Sequence, residues 1–135
     1  MMNSELIQNA VKQSIAVREQ SYSPYSHFKV GAAVITESGK IFVGTNVENG
    51  SYGATVCAER IALFSAVSAG EQVFSALVVA AEMDGKAVYP CGLCRQVFSE
   101  FAPKIPVILV NASTGEIEDE TTLDAIFPHQ FSLDS

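Results

Sequence analysis

The sequence predicts an α/β fold in which a mixed β-sheet is covered by helices on both faces. Three observations predict it. Segments with helical periodicity alternate with short apolar runs. Two of those runs, FSALVVAAE at 74–82 and IPVILVNA at 105–112, are almost continuously apolar, as strands buried on both faces are. The chain has 135 residues, 48% of them hydrophobic, which suits one domain with one core spanning residues 1–135.

Each element follows from local signals. SELIQNAVKQSIAVRE (4–19) places Leu6, Ile7, Ala10, Val11, Ile15 and Val17 roughly along one helical stripe, with Asn3 or Ser4 as its cap. QSYSPYSH (20–27) is rich in turn formers and reads as a loop. FKVGAAVIT (28–36) and IFVGTNVE (41–48) read as strands joined by the turn Glu37-Ser38-Gly39-Lys40. NGSYGA (49–54) is a loop. CAERIALFSAVSA (57–69) reads as a buried helix stopped by Gly70. After strand 74–82, MDGKAVYP (83–90) is a loop, and CGLCRQVFSEFA (91–102) is a helix ended by Pro103. Strand 105–112, the turn STGE (113–116), a last strand near Ile117 and a short helix over TTLDAIF (121–127) complete the order.

Composition excludes several classes. The net charge is −7 with eight Lys and Arg scattered along the chain, which argues against a polynucleotide partner. A small uncharged or weakly charged substrate fits better. No apolar run is long enough to span a bilayer, so no membrane partner is expected. MMNSELIQNA has no apolar signal core behind a basic start, and a cytoplasmic location is the default expectation.

Cysteine carries the chemistry. The three cysteines are Cys57, Cys91 and Cys94, an odd number that argues against a disulfide framework in such a compartment. Both cysteine clusters sit where a helix begins, and unpaired N–H groups and the positive dipole end there favour thiolate. Cys91 and Cys94 are three apart and share a helical face. If the two helix starts converge, three thiolates face one ion. Three protein ligands and an open position are the pattern of catalytic zinc. Closure by a fourth ligand would fall to His27 or His129, the two imidazoles of the chain. Hard metals such as magnesium do not suit thiolates. Glu59 is two residues from Cys57 and so points elsewhere on an ideal helix. It can stand beside the open position and move a proton from metal-activated water. Its alternative role is a first-turn acid complementing the helix dipole. A thioredoxin-like reading of the C-x-x-C pair leaves Cys57 and Glu59 unexplained.

VCAERIAL (56–63) and YPCGLCRQV (89–97), in this order with a strand between, resemble the zinc-dependent cytidine deaminases, whose wider superfamily carries C/H-x-E and P-C-x-x-C. SPYSHFKVGAAV (23–34), GTNVENGSYG (44–53) and the final FPHQF (127–131) resemble other stretches of the small homotetrameric branch. The resemblance implies a three-layer α/β/α sandwich with a mixed five-stranded sheet. It implies one zinc per subunit on Cys57, Cys91 and Cys94, attack of zinc-bound hydroxide on C4, and Glu59 as proton shuttle. It further implies that the Ala58 N–H binds the pyrimidine carbonyl, Phe28 stacks on the base, and Asn46 and Glu48 bind the ribose. Arg60 would offset the site's negative charge. Tyr25, Tyr52 and Phe131 would complete sites near subunit interfaces. An aromatic face suits a neutral base, and Asn and Glu suit sugar hydroxyls.

Three positions depart from the family pattern. Tyr89 stands before Pro90 where a small residue is common, and Gly50 and Ala54 replace Ala and a larger aliphatic residue. The change at Tyr89 is tolerated if that position acts through its backbone carbonyl, and Gly50 and Ala54 bear on fine substrate preference, not on the reaction. The implied function is deamination of cytidine and deoxycytidine to uridine and deoxyuridine in pyrimidine salvage. The alternatives are deamination of another cytosine-bearing molecule such as blasticidin S, and a non-catalytic zinc-stabilised binding module.

Overall fold

The computed structural model describes residues 3–133. Helix α1 spans Ser4–Arg18 and is capped by Asn3, whose side-chain oxygen accepts from the Glu5 N–H at 2.8 Å. Strands β1 (Gly31–Thr36) and β2 (Ile41–Thr45) form the expected hairpin. A 3-10 turn at Tyr52–Ala54 precedes α2 (Ala58–Ser68), which Gly70 ends at a φ of +95°. Strand β3 (Phe74–Ala81), α3 (Gly92–Phe101), β4 (Pro106–Asn111), β5 (Ile117–Thr122) and a single helical turn, α4 (Leu123–Ile126), follow. Among the described residues, no helix is long and apolar enough to cross a membrane.

The five strands form one sheet in the order β2-β1-β3-β4-β5. It is mixed: β3 and β4 run parallel, and every other neighbouring pair is antiparallel. A parallel pair needs a crossover connection, and α3 supplies it. The period-2 alternation of side chains then divides the core. Ala33, Ile35, Ala76, Val78, Ala80, Ile108 and Val110 pack beneath Ala10 and Val11 of α1. Ala32, Val34, Leu77, Val79, Val107 and Leu109 pack on the other face, against Ala62, Leu63 and Ala66 of α2 and Phe98 of α3. This is the three-layer sandwich. The central strands are apolar throughout because both of their faces are covered.

Two strands are shorter than their sequence pattern. The run 28–36 enters the sheet at Gly31, and 41–48 leaves it after Thr45. The side chain of Asn46 explains both. Its Nδ2 donates to the Phe28 carbonyl at 2.8 Å, and its Oδ1 accepts from the Val30 N–H at 3.0 Å. These bonds take up backbone groups that a ladder would otherwise use, so Phe28 is held off the end of the sheet. The preceding His27 has a left-handed φ of 57°, a conformation that side chains disfavour and that turns the chain at this point. Val47 instead makes isolated bridges to Tyr22 and Val56.

Helix α2 lies against β2 at a glycine. A Cβ on Gly44 would sit 2.4 Å from the Ala62 nitrogen and 2.7 Å from the Ala58 oxygen, both backbone atoms that cannot turn aside. Gly44→Ala is therefore expected to push α2 off the sheet and destabilise the fold by about 1–3 kcal/mol or more. Thermal unfolding reads the effect, and an unchanged Tm would show that α2 has room to move.

Candidate active site

Cys57 is the N-cap of α2 and Cys91 the N-cap of α3, both with extended backbone and neither with a side-chain capping bond. A sulfur therefore sits at the positive end of each helix in place of the usual capping oxygen. Cys94 lies in the first turn of α3 and is fully buried. The topology brings the two helix starts together. The Cys57 and Cys91 sulfurs are 3.6 Å apart, as are those of Cys91 and Cys94. All three lie within 4.8 Å of one another, and among the described residues no other cluster of His, Cys, Asp and Glu is arranged in this way.

These distances test the fit to a metal. A tetrahedral zinc with Zn–S bonds of about 2.3 Å separates its sulfurs by about 3.8 Å. The two 3.6 Å spacings match within a few tenths of an ångström, the third pair lies within 4.8 Å, and soft sulfur donors suit zinc. Neither His27 nor His129 joins the cluster, so the set has three protein ligands. The electrostatics favour a charged sulfur. Cys57 is lowered to about 5, chiefly by the hydrogen bond from Cys94, with Arg60 adding to it. Arg60 Nη2 donates to the Cys57 sulfur at 3.6 Å. In return Cys94 is pushed up, because it keeps its proton as the donor beside that charge.

A cavity of about 250 Å³ opens onto this cluster, lined at its floor by Cys57, Ala58, Glu59 and Cys91. Phe28, Asn46 and Glu48 line it too. Glu59 is only 5% exposed. Burial pushes its carboxyl up to about 7, and the Cys57 charge adds to the shift. Asn46 has four hydrogen-bonding positions. Three are used internally: Phe28 O, the Val30 N–H and the Ser21 hydroxyl. One N–H remains. Glu48 Oε1 accepts from the N–H groups of Tyr25 and Ser26 at 3.0 and 3.1 Å, and its other oxygen accepts from the Ser26 hydroxyl. The Ser26 hydroxyl bond holds the Glu48 carboxyl below its ordinary range, and the two backbone bonds assist.

A family model described as the cytidine and deoxycytidylate deaminase zinc-binding region matches residues 4–110. The chain belongs to this deaminase family. A cytidine deaminase of Sporosarcina psychrophila is 48% identical over 127 residues, covering 93% of this chain and 91% of that one. A blasticidin-S deaminase of Bacillus cereus is 34% identical over 110 residues, 76% of each chain. The crystal structure of a cytidine deaminase from Burkholderia pseudomallei superposes with a TM-score of 0.84 at 44% identity, covering 97% of this chain and all of that one. The mixed five-stranded sheet with four helices is the deaminase fold, the family is a zinc-binding one, and Cys57, Cys91 and Cys94 form a cluster that could hold the ion.

The deaminase fold thus gathers Cys57, Cys91, Cys94, Ala58, Glu59, Phe28, Asn46 and Glu48 at one place, with Arg60 against the sulfur of Cys57. Tyr25 and Tyr52 line an adjoining recess that shares Ser26, Glu48 and Thr55 with the cavity. Phe131 is 64% exposed and lines neither. Two further residues belong to this arrangement. The Ser26 hydroxyl also accepts from the Phe28 N–H at 3.0 Å. Arg95 donates to the carbonyls of Pro90 and Ile126 and so anchors the loop ahead of α3. A serine in a turn-rich loop and an arginine on a helix carry no distinguishing signal. Cys94→Ala is expected to lose stoichiometric zinc, measured by atomic emission on purified protein. Full retention of zinc would remove Cys94 from the ligand set.

Proposed function

We propose that the chain hydrolytically deaminates cytidine and deoxycytidine to uridine and deoxyuridine, acting as one catalytic domain in cytoplasmic pyrimidine salvage. The observation that carries this reading is Glu59, a buried carboxyl at the floor of a cavity that opens on the three-sulfur site. Bound zinc supplies Lewis acidity that brings the ionisation of water toward neutrality. Glu59 takes a proton from the attacking water, gives it to ring N3, and passes a second to the departing amine. Water and cytidine thereby become uridine and ammonia. A carboxyl that releases its proton near neutrality suits both directions of transfer.

The other residues bind and orient. The Ala58 N–H, at the start of α2 and on the cavity lining, takes the pyrimidine carbonyl oxygen. Phe28 offers a ring face to the base. The remaining Asn46 N–H and the Glu48 carboxylate take the ribose hydroxyls. Arg60 offsets the charge of three thiolates around one dication. The relative that is a blasticidin-S deaminase supports a second reading, a modified cytosine as substrate. Asn46 and Glu48 at the cavity favour the plain nucleoside.

Ultraviolet absorbance of zinc-loaded protein mixed with cytidine tests the reading. Conversion to uridine, abolished by stripping zinc, is the expected result. No conversion of cytidine overturns the nucleoside reading and leaves blasticidin S as the next substrate to try. Glu59→Gln is expected to keep zinc and fold while losing about 10²–10⁴-fold in turnover. Near-normal turnover would sink the proton-transfer role of Glu59.

The chain acts, on this proposal, as a homotetramer with sites near its subunit interfaces. Tyr25 and Tyr52, 54% and 82% exposed, line one recess beside the cavity, and Phe131 is 64% exposed, so all three aromatic side chains are open to a neighbouring subunit. Sedimentation is expected to give an active tetramer, and a fully active monomer would overturn the assembly.

A further inference from the structure

Tyr89 lines the reaction cavity beside Val88 and Cys91. It is 42% exposed, so the wall that it makes is also part of the rim. A ring at a rim swings freely unless something holds it. Here the hydroxyl donates to Oδ2 of Asp119, on the edge strand β5. Asp119 itself does not line the cavity, so the ring is held from outside the space that it bounds.

The proposed pose leaves Tyr89 one part of the base to face. Glu59 and the Ala58 N–H, both at the start of α2, serve N3 and the carbonyl oxygen. Phe28 takes a ring face, and Asn46 and Glu48 take the sugar end. The edge carrying the exocyclic amine and C5 is then left to the other lining residues, among which Val88 and Tyr89 come from the segment that leads to the Cys91 sulfur. We propose that Tyr89, latched by Asp119, is a specificity-determining residue that restricts the enzyme to cytosines unsubstituted at C5 and on the exocyclic nitrogen. The proposal rests on the cytidine reading above and adds a substrate limit to it.

The test compares kcat/KM for 5-methylcytidine and N4-methylcytidine with that for cytidine. The first releases ammonia and gives 5-methyluridine. The second releases methylamine and gives uridine. Tyr89→Ala is expected to raise one or both ratios by about tenfold or more, the scale of a methyl group's fit in a pocket. Tyr89→Phe and Asp119→Ala each remove the latch and keep the ring or its place, and both are expected to give the same smaller rise. Agreement between these two separates the latch from a general loosening. Unchanged ratios in all three variants overturn the proposal, even where cytidine turnover falls. If the unmodified protein does not deaminate cytidine, the underlying reading fails and this proposal fails with it.

Discussion

The site depends on two helix N-termini meeting at one point. Three sulfurs spaced for a single ion come from the starts of α2 and α3, and neither helix holds a complete set. The sheet makes the meeting possible. β3 and β4 are parallel, so α3 has to cross over a face of the sheet, and it shares that face with α2. The loop leaving the carboxyl end of β3 delivers Cys91, in the manner of α/β sheets that place ligands beyond strand ends. The close approach of β2 to α2 at Gly44 sets the depth of the other helix start. Sheet topology and one missing side chain therefore position the ligands.

Charge is the second constraint. Three thiolates around one dication would leave net negative charge, and Glu59 adds a carboxyl nearby. Burying like charges together is costly, and the chain resolves this in two ways. Arg60 lies against the Cys57 sulfur. Glu59 binds its proton more tightly than an exposed carboxyl does, because it is buried beside that sulfur. The property that makes Glu59 electrostatically tolerable is the same one that the proposed proton transfer near neutrality requires.

The polar residues of the cavity wall do structural work first. Asn46 uses most of its hydrogen-bonding capacity to hold Phe28, Val30 and Ser21. Glu48 gathers the backbone of Tyr25 and Ser26, and the Ser26 hydroxyl ties Glu48 to the Phe28 backbone. The loop bearing the aromatic ring and the segment bearing the polar pair are thus one hydrogen-bonded unit. Groups fixed before a ligand arrives lose less entropy when it binds.

Much of this was readable in one dimension. Helical and strand periodicity located α1, α2 and α3 and the strands β1 to β4, because burial on one or both faces imposes a period that the chain itself must carry, whereas the half-exposed β5 carried no such period. Gly70 and Pro103 marked helix ends because their backbones demand it. Cys57, Glu59, Cys91 and Cys94 stood out because ligand chemistry permits few residue types at such spacings. What lay beyond the sequence depends on contacts between distant segments. The convergence of the two cysteine pieces follows from the parallel pairing of β3 and β4, and no local pattern encodes it. The early end of β2 and the late start of β1 come from an asparagine choosing backbone partners 16 and 18 residues away. Ser26 and Arg95 have no sequence signature, since a hydroxyl or a guanidinium becomes part of a site only through what it meets. The hold of Asp119 on Tyr89 spans 30 residues, and only the folding of β5 onto the edge of the sheet decided it.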